Sequence, residues 1–306
     1  MWALTPTSHS DTYPAINPAN INTLVGKSVL ITAANKGIGR ATAISCRLGP
    51  TPDTSSTSLR YNTLDAKAGA SPIVITSRAG ASETEAAVLD AAAAAGRPVP
   101  TVVHVTLDVT SQASVDAAAA KVRGKVGKLD ILVNNAGFMG PEAPLLDQRT
   151  EEYVNTIEVN LTGVYRVTKA LLPLMLEGGL KTVPIMGSAA SVGVACAGAY
   201  TITKFAMARF CQFLNLQYGD RGVSSFHYHP GGVSTDLAQG LPSAFRKLLV
   251  DTPELAGDTM VWLTAEKRTW LNGRYISANW DMVELEGLKD KIVERNLLKF
   301  KFDLDF

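Results

Sequence analysis

Short apolar runs recur along the chain and alternate with amphipathic stretches. The first, Ser28-Val29-Leu30-Ile31-Thr32, is a β-branched run of the kind that makes a strand buried on both faces. Comparable runs lie at Pro72–Thr76, Thr101–Leu107, Leu129–Val133, Thr182–Met186, Val223–Tyr228 and Arg274–Ser277. Between them, helical patterns run over 38–48, 82–95, 111–125, 150–177, 199–218 and 252–264. Apolar strands alternating with helices predict an α/β fold with a doubly wound, seven-stranded, mainly parallel sheet and helices on both faces. In such a sheet the ligand sits at the carboxyl ends of the strands.

Three segments fall outside this rhythm. Residues 1–23 are rich in Pro, Ser, Thr and Asn and have no apolar period, so they read as an arm. Residues 49–71 separate the first helix from the second strand, where a loop of about two to six residues is usual, and read as a surface insertion. Residues 281–306 form a C-terminal tail, a charged helical piece followed by an amphipathic end. The rest, 24–280, reads as a single domain.

Composition narrows the function classes. The 29 basic and 28 acidic residues leave a net charge of +1, which gives no electrostatic case for nucleic acid or an anionic membrane surface. No apolar stretch approaches the roughly 20 residues of a membrane span, and the first residues lack a signal-peptide pattern. The expectation is a soluble, cytoplasmic protein. Cys46, Cys196 and Cys211 form no CxxC pair and read as small buried apolar residues. The histidines His9, His104, His227 and His229 show no ligand spacing, so no metal is expected.

The candidate chemistry starts after the first strand, in the turn Thr32-Ala33-Ala34-Asn35-Lys36-Gly37-Ile38-Gly39. Gly37 and Gly39 let backbone approach a pyrophosphate, and the helix that follows offers its free N–H groups. A second constellation is Tyr200-Thr-Ile-Thr-Lys204, whose i,i+4 spacing puts a phenol and an ammonium on one helix face. A nearby cation favours the phenolate and brings a tyrosine toward acid/base work at neutral pH. Ser188 ends the fifth strand, twelve residues before Tyr200.

Together these resemble the short-chain dehydrogenase/reductase family, over roughly residues 24–280. The glycine turn is similar to the family's TGxxxGxG, with Ala33 in place of the first glycine, a change that costs little if φ there is negative. Asp108 and Val109 resemble the adenine-contacting strand end. Asn134-Asn135-Ala136-Gly137 matches the NNAG turn at the adenosine ribose, and Pro230-Gly231-Gly232-Val233-Ser234-Thr235 matches the PGxVxT turn that holds the nicotinamide carboxamide. The resemblance implies a Rossmann-like fold and a dinucleotide held by Thr32, Ala34, Asn35, Lys36, Gly37, Ile38, Gly39, Ser77, Arg78, Asp108, Val109, Asn135, Ala136, Gly137, Tyr200, Lys204, Pro230, Gly231, Val233 and Thr235. At the end of the second strand stands Thr76-Ser77-Arg78, with no carboxylate to accept from a ribose 2′-OH. Arg78 and Lys36 therefore predict NADP(H), through the 2′-phosphate.

The resemblance further implies a catalytic set of Asn160, Ser188, Tyr200 and Lys204. Tyr200 passes the proton, Lys204 holds the nicotinamide ribose, Ser188 binds the substrate oxygen, and the Asn160 backbone carbonyl holds a relay water. Ser191 is a nearby alternative, but strand register favours Ser188. The spacing to Tyr200 is one residue short of the family's habit, which bears on pocket shape. The implied reaction is hydride transfer between NADP(H) and a ketone or aldehyde, or the reverse from an alcohol. Phe138, Met139, Leu241 and Phe245 suggest an apolar or aromatic substrate. Text such as Thr12-Tyr13-Pro14-Ala15-Ile16-Asn17-Pro18 and Trp270–Asp281 resembles fungal members, many of which serve secondary metabolism. A redox-neutral isomerase or cyclase on the same cofactor site, and a cofactor-sensing regulator, are the alternatives. Apolar residues on more than one face of 150–177 and 199–218, among them Leu171, Phe210 and Phe213, call for a cover beyond the sheet, either the tail 281–306 or a second subunit; the resemblance implies that these helices pair across a homodimer or homotetramer.

Overall fold

A computed structural model of the chain describes residues 4–21, 23–46, 70–96, 98–192, 198–241 and 243–301. The strands are β1 (Val29–Ile31), β2 (Ile73–Ser77), β3 (Val102–Thr106), β4 (Ile131–Val133), β5 (Thr182–Met186), β6 (Ser224–His229) and β7 (Tyr275–Ser277). The helices are α1 (Gly37–Ser45), α2 (Ser82–Ala94), α3 (Gln112–Val126), α4 (Thr150–Ile157), α5 (Gly163–Glu177), α6 (Gly198–Tyr218), α7 (Ser243–Arg246), α8 (Pro253–Ala265), α9 (Met282–Gly287) and α10 (Lys289–Glu294).

The strands form one seven-stranded sheet in the order β3-β2-β1-β4-β5-β6-β7. Every pairing is parallel. The order reverses at β1/β4, and the crevice outside that point is where a doubly wound sheet binds ligand. Period-two alternation sends successive side chains to opposite faces. Val29 and Ile31 of β1, with Ile131 and Val133 of β4, join one core with the α8 residues Leu255, Met260 and Leu263. Leu30 and Leu132 join the other, with Val115 of α3, Leu171 of α5 and Met207 of α6.

The segment predicted as one helix over 150–177 is interrupted. Between α4 and α5, Glu158–Thr162 form a π turn, closed by the Gly163 N–H on the Glu158 carbonyl. One extra residue in a turn re-aims the side chains around it. Here Asn160 points inward and is 1% exposed.

The N-terminal arm lies along the body. Ser8 bridges Trp280 in antiparallel fashion. His9 stacks on Tyr13 at 3.6 Å, and Ile16 is wholly buried. Met282, Leu285 and Ile292 from the tail enter the same core. Most of the expected insertion 49–71 lies outside the described residues; Ala70 is buried in the first core. Among the described residues, no helix is long and apolar enough to cross a membrane.

Candidate active site

The glycine turn leaves β1 and enters α1, whose N-terminus no side chain caps. Thr32 is buried and ties this turn to its neighbour: its Oγ1 accepts from the N–H groups of Asn135, at 2.9 Å, and Ala136, at 2.8 Å. Asn135 Nδ2 donates back to the carbonyls of Thr32, at 2.8 Å, and Ala33, at 3.2 Å. Ala34 N–H bonds Thr76 O at 2.8 Å, fixing the turn to β2. Asn35 O accepts from Arg40 at 2.9 Å. Ile38 is half-buried in the first turn of α1.

At Gly39 a Cβ would lie 2.6 Å from Asn135 Nδ2 and 2.7 Å from Ala33 O. The helix therefore sits close against the strand end, and no side chain caps its N-terminal N–H groups. These residues fit a pyrophosphate. The condition under which Ala33 would cost little, a negative φ, is not met: its φ is +52°. That left-handed conformation suits the family's glycine, and alanine holds it at a cost of about 1–2 kcal/mol.

Ser77 ends β2 with its hydroxyl turned inward, to Ala79 O at 2.8 Å and His104 Nε2 at 2.9 Å. Arg78 is exposed beside Asp108. The Asp108 carboxyl is held below its ordinary range by the Thr110 hydroxyl and N–H, with Arg78 adding a smaller effect. Val109 packs where Gly163 lacks a side chain. Lys36, expected as a second cation for the 2′-phosphate, forms an exposed ion pair with Asp236. Its ammonium thus spans the crevice to the turn after Thr235.

The turn Pro230–Thr235 forms the other wall. Pro230 is buried, and Thr235 Cγ2 lies 3.3 Å from where a Gly37 Cβ would be. Gly231 carries a φ of +89°. Val233 pairs with Asp251, whose carboxylate accepts from Gly232 N–H at 2.5 Å and Asn279 Nδ2 at 2.9 Å. Asp251 is a buried brace that sequence reasoning missed, since nothing in its own neighbourhood marks it.

Tyr200 and Lys204 sit one turn apart on α6, both buried, with Lys204 Nζ 5.3 Å from the Tyr200 ring centroid. Lys204 donates to Met186 O at 2.7 Å, and burial lowers its pKa to about 8. Ser188 is half-buried just past β5, and its Oγ accepts from Ala190 N–H at 3.1 Å. Ser191 is tied down, its hydroxyl donating to Ser188 O at 2.6 Å. The Asn160 side chain clasps the loop after β4: Oδ1 accepts from Phe138 N–H, and Nδ2 donates to Phe138 O, both at 2.8 Å. It also donates to Thr203 Oγ1 on α6 at 3.1 Å. Gly137 lies between these groups; a Cβ there would be 3.6 Å from Asn160 Oδ1 and 3.8 Å from Lys204 Nζ.

The structure thus gathers Ser188, Tyr200, Lys204, Asn160 and Gly137 at the strand ends beside the glycine turn. Tyr200 packs with Met139 and Ala190 in a small apolar cluster with Leu237 and Leu241 against it. Tyr200 also lines a shallow surface depression with Gly140, Pro141, Gln148, Arg149, Glu152 and Ala199. Part of the expected lining, 193–197, lies outside the described residues.

Cys46 and Cys211 are buried, and burial pushes both thiols up to about 12, so they are inert; Cys196 lies outside the described residues. Among the described residues, no group of three His, Cys, Asp or Glu could hold a metal ion.

Residues 63–244 match the family described as short chain dehydrogenase. The chain is 44% identical over 298 residues to the short chain dehydrogenase mpl6 of Monascus purpureus, covering 97% of this chain and 95% of that protein. It is 40% identical to the short chain dehydrogenase pigC of Monascus ruber, covering 98% and 94%. Its fold is similar to that of a gluconate 5-dehydrogenase from Burkholderia cenocepacia, solved with NADP and tartrate, with a TM-score of 0.66 at 22% identity, over 86% of this chain and 96% of that one. The chain belongs to the short-chain dehydrogenase family, NAD(P)(H)-dependent oxidoreductases of alcohol and carbonyl groups.

Proposed function

We propose that the chain is an NADP(H)-dependent reductase of ketones or aldehydes to alcohols, acting in the cytoplasm. The observation that carries this reading is the buried ammonium of Lys204 one helical turn from Tyr200, with the Ser188 hydroxyl at the adjoining strand end. The N-terminus of α1, the turn after β4 and the turn Pro230–Thr235 would hold the dinucleotide, which supplies the hydride when bound.

The chain's residues supply the rest. The hydroxyls of Tyr200 and Ser188 donate to the substrate oxygen and stabilise the charge that grows on it. Tyr200 Oη gives its proton to that oxygen. Lys204 stabilises the phenolate left behind, in a site where burial strengthens the attraction. Asn160 holds the Phe138 loop against α6 and so fixes the wall facing Tyr200. Met139, Leu237 and Leu241 favour an apolar or aromatic substrate near Tyr200.

The preference for NADP(H) rests on exposed Arg78 and on a strand end without a carboxylate. A hydrogen bond to a charged group is worth about 1.5–3 kcal/mol. Arg78→Ala is therefore expected to raise the Kd for NADPH about tenfold or more while leaving that for NADH nearly unchanged. Isothermal titration with both cofactors checks this, and an equal loss for both would overturn the assignment. Lys36 would reach the phosphate only after leaving Asp236, so it adds less than Arg78.

The chain is proposed to work as a homodimer or homotetramer. Leu171, Leu174 and Met175 of α5 are core residues, but Tyr165, Ile202, Phe213 and Leu216 stay exposed on the outer faces of α5 and α6. The tail covers only part of this surface, where Phe300 meets the Phe205 ring edge-on at 5.0 Å. Light scattering at micromolar concentration is expected to give a mass of two or four chains, and Phe213→Glu with Leu216→Glu to lower it. A one-chain mass for the parent would contradict the proposal. Charged substitution at Leu171, an apparent contact in the sequence, would instead unfold the core.

A further inference from the structure

The strand β6 presents two kinds of side chain. Phe226 and Tyr228 enter the core with α8, while His227 and His229, on the opposite face, lie beneath α6 and the turn that carries Ser188. Both imidazoles are buried. Their nitrogens are poorly partnered: His229 Nε2 has no hydrogen-bond partner among the described residues, and His227 has at best a weak one in the Lys204 backbone. Burying such groups costs more than burying a leucine of similar size, so packing alone gives no reason for them.

Their contacts give one. The His227 ring fills the space beside Gly187, where a Cβ would lie 2.5 Å from its Cε1 and Nε2. Gly187 N–H is also fixed, to Tyr228 O at 2.6 Å. On the other side of Ser188, Ala189 N–H donates to His229 Nδ1 at 3.2 Å. The next N–H, of Ala190, donates to Ser188 Oγ. The serine thus follows a residue bonded to the Tyr228 carbonyl and packed by His227, and precedes one bonded to His229. With its oxygen already accepting from Ala190, its O–H is left to be donated outward.

We propose that His229 is a positioning residue for Ser188: its Nδ1 fixes the Ala189 amide and thereby aims the serine hydroxyl at the substrate oxygen. The inference rests on the reductase reading, in which Ser188 binds that oxygen. For Nδ1 to accept, the ring must be neutral with its proton on Nε2. Burial lowers the His229 pKa to about 4, which keeps it neutral at working pH.

Two polar substitutions separate the nitrogens. Asparagine carries its amide oxygen close to the Nδ1 position, whereas glutamine carries its amide out to the Nε2 position. The test compares His229→Asn, His229→Gln and His229→Leu by hydrogen exchange at the Ala189 amide, by kcat and KM, and by NADPH affinity. His229→Gln and His229→Leu are expected to lose Ala189 protection and about tenfold or more in kcat, with NADPH affinity kept within about twofold. His229→Asn is expected to restore both protection and kcat to within about threefold of the parent. Full kcat in His229→Gln, or an equal loss in all three variants, would overturn the proposal. If the parent turned over no carbonyl compound, the reductase reading alone would fail. Exchange would then decide the contact: protection lost in His229→Gln and kept in His229→Asn supports it, and equal protection in all three overturns it.

Discussion

Tyr200→Phe is expected to lower kcat for carbonyl reduction by at least about a hundredfold, with NADPH affinity within about twofold of the parent. The phenol sits on α6 among Met139 and Ala190, and its ring is retained in the variant, so packing is kept. What goes is the proton donor and one of the two hydroxyls facing the substrate oxygen. General acid catalysis contributes typically about 10²–10⁴-fold, which sets the lower bound. Steady-state rates at the nicotinamide absorbance, paired with a fluorescence titration of NADPH, separate the two effects. A variant that reduces ketones at near-parental rate would refute the assigned role.

Lys204→Met is expected to lose turnover by at least about a hundredfold as well, and to bind NADPH more weakly, because one ammonium serves both tyrosine and cofactor. Its burial adds a stability signature. The folded-state pKa is about 8 against 10.5 for the free side chain, so between those values the unfolded chain binds the extra proton. Stability of the parent therefore rises with pH across that window, by an amount on the order of 3 kcal/mol for this group. Below about pH 8 the burial cost is carried in full. Lys204→Met, with no charge to desolvate, lacks this contribution. Urea unfolding of unliganded parent and variant at pH 7.5 and 10.5 measures the difference, which should shrink as pH rises. Carbonyl reduction by the parent should fall as pH climbs past about 8, where the neutral amine no longer supports the phenolate. A pH-independent stability gap would contradict the buried, charged lysine.

Much of this is legible in the sequence. Central strands of a parallel sheet are buried on both faces, so Val29–Ile31 and Thr182–Met186 stand out as apolar runs bounded by turns. The i,i+4 spacing of Tyr200 and Lys204 needs only a helix to become a shared face. Hidden features depend on contacts distant in sequence. The Lys36–Asp236 pair joins residues two hundred positions apart. The π turn places Asn160 against the loop at Phe138 and the helix carrying Thr203, partners 22 and 43 positions away in sequence. Ala33 reads as a harmless replacement until its φ is known. His227 and His229 are two positions apart in an apparent strand, and only the fold puts both beneath the turn of Ser188.

The central claim is that hydride passes between NADP(H) and a carbonyl carbon under the care of Tyr200, Lys204 and Ser188. Its most direct test is label transfer: NADPH deuterated at C4 of the nicotinamide, incubated with the protein and a panel of apolar and aromatic ketones, with products read by mass spectrometry. The expected result is an alcohol one mass unit heavier at the carbinol carbon, formed in step with loss of NADPH absorbance and absent with Tyr200→Phe. Tight NADPH binding with no deuterium in any product, or label transfer undiminished by Tyr200→Phe, would contradict it.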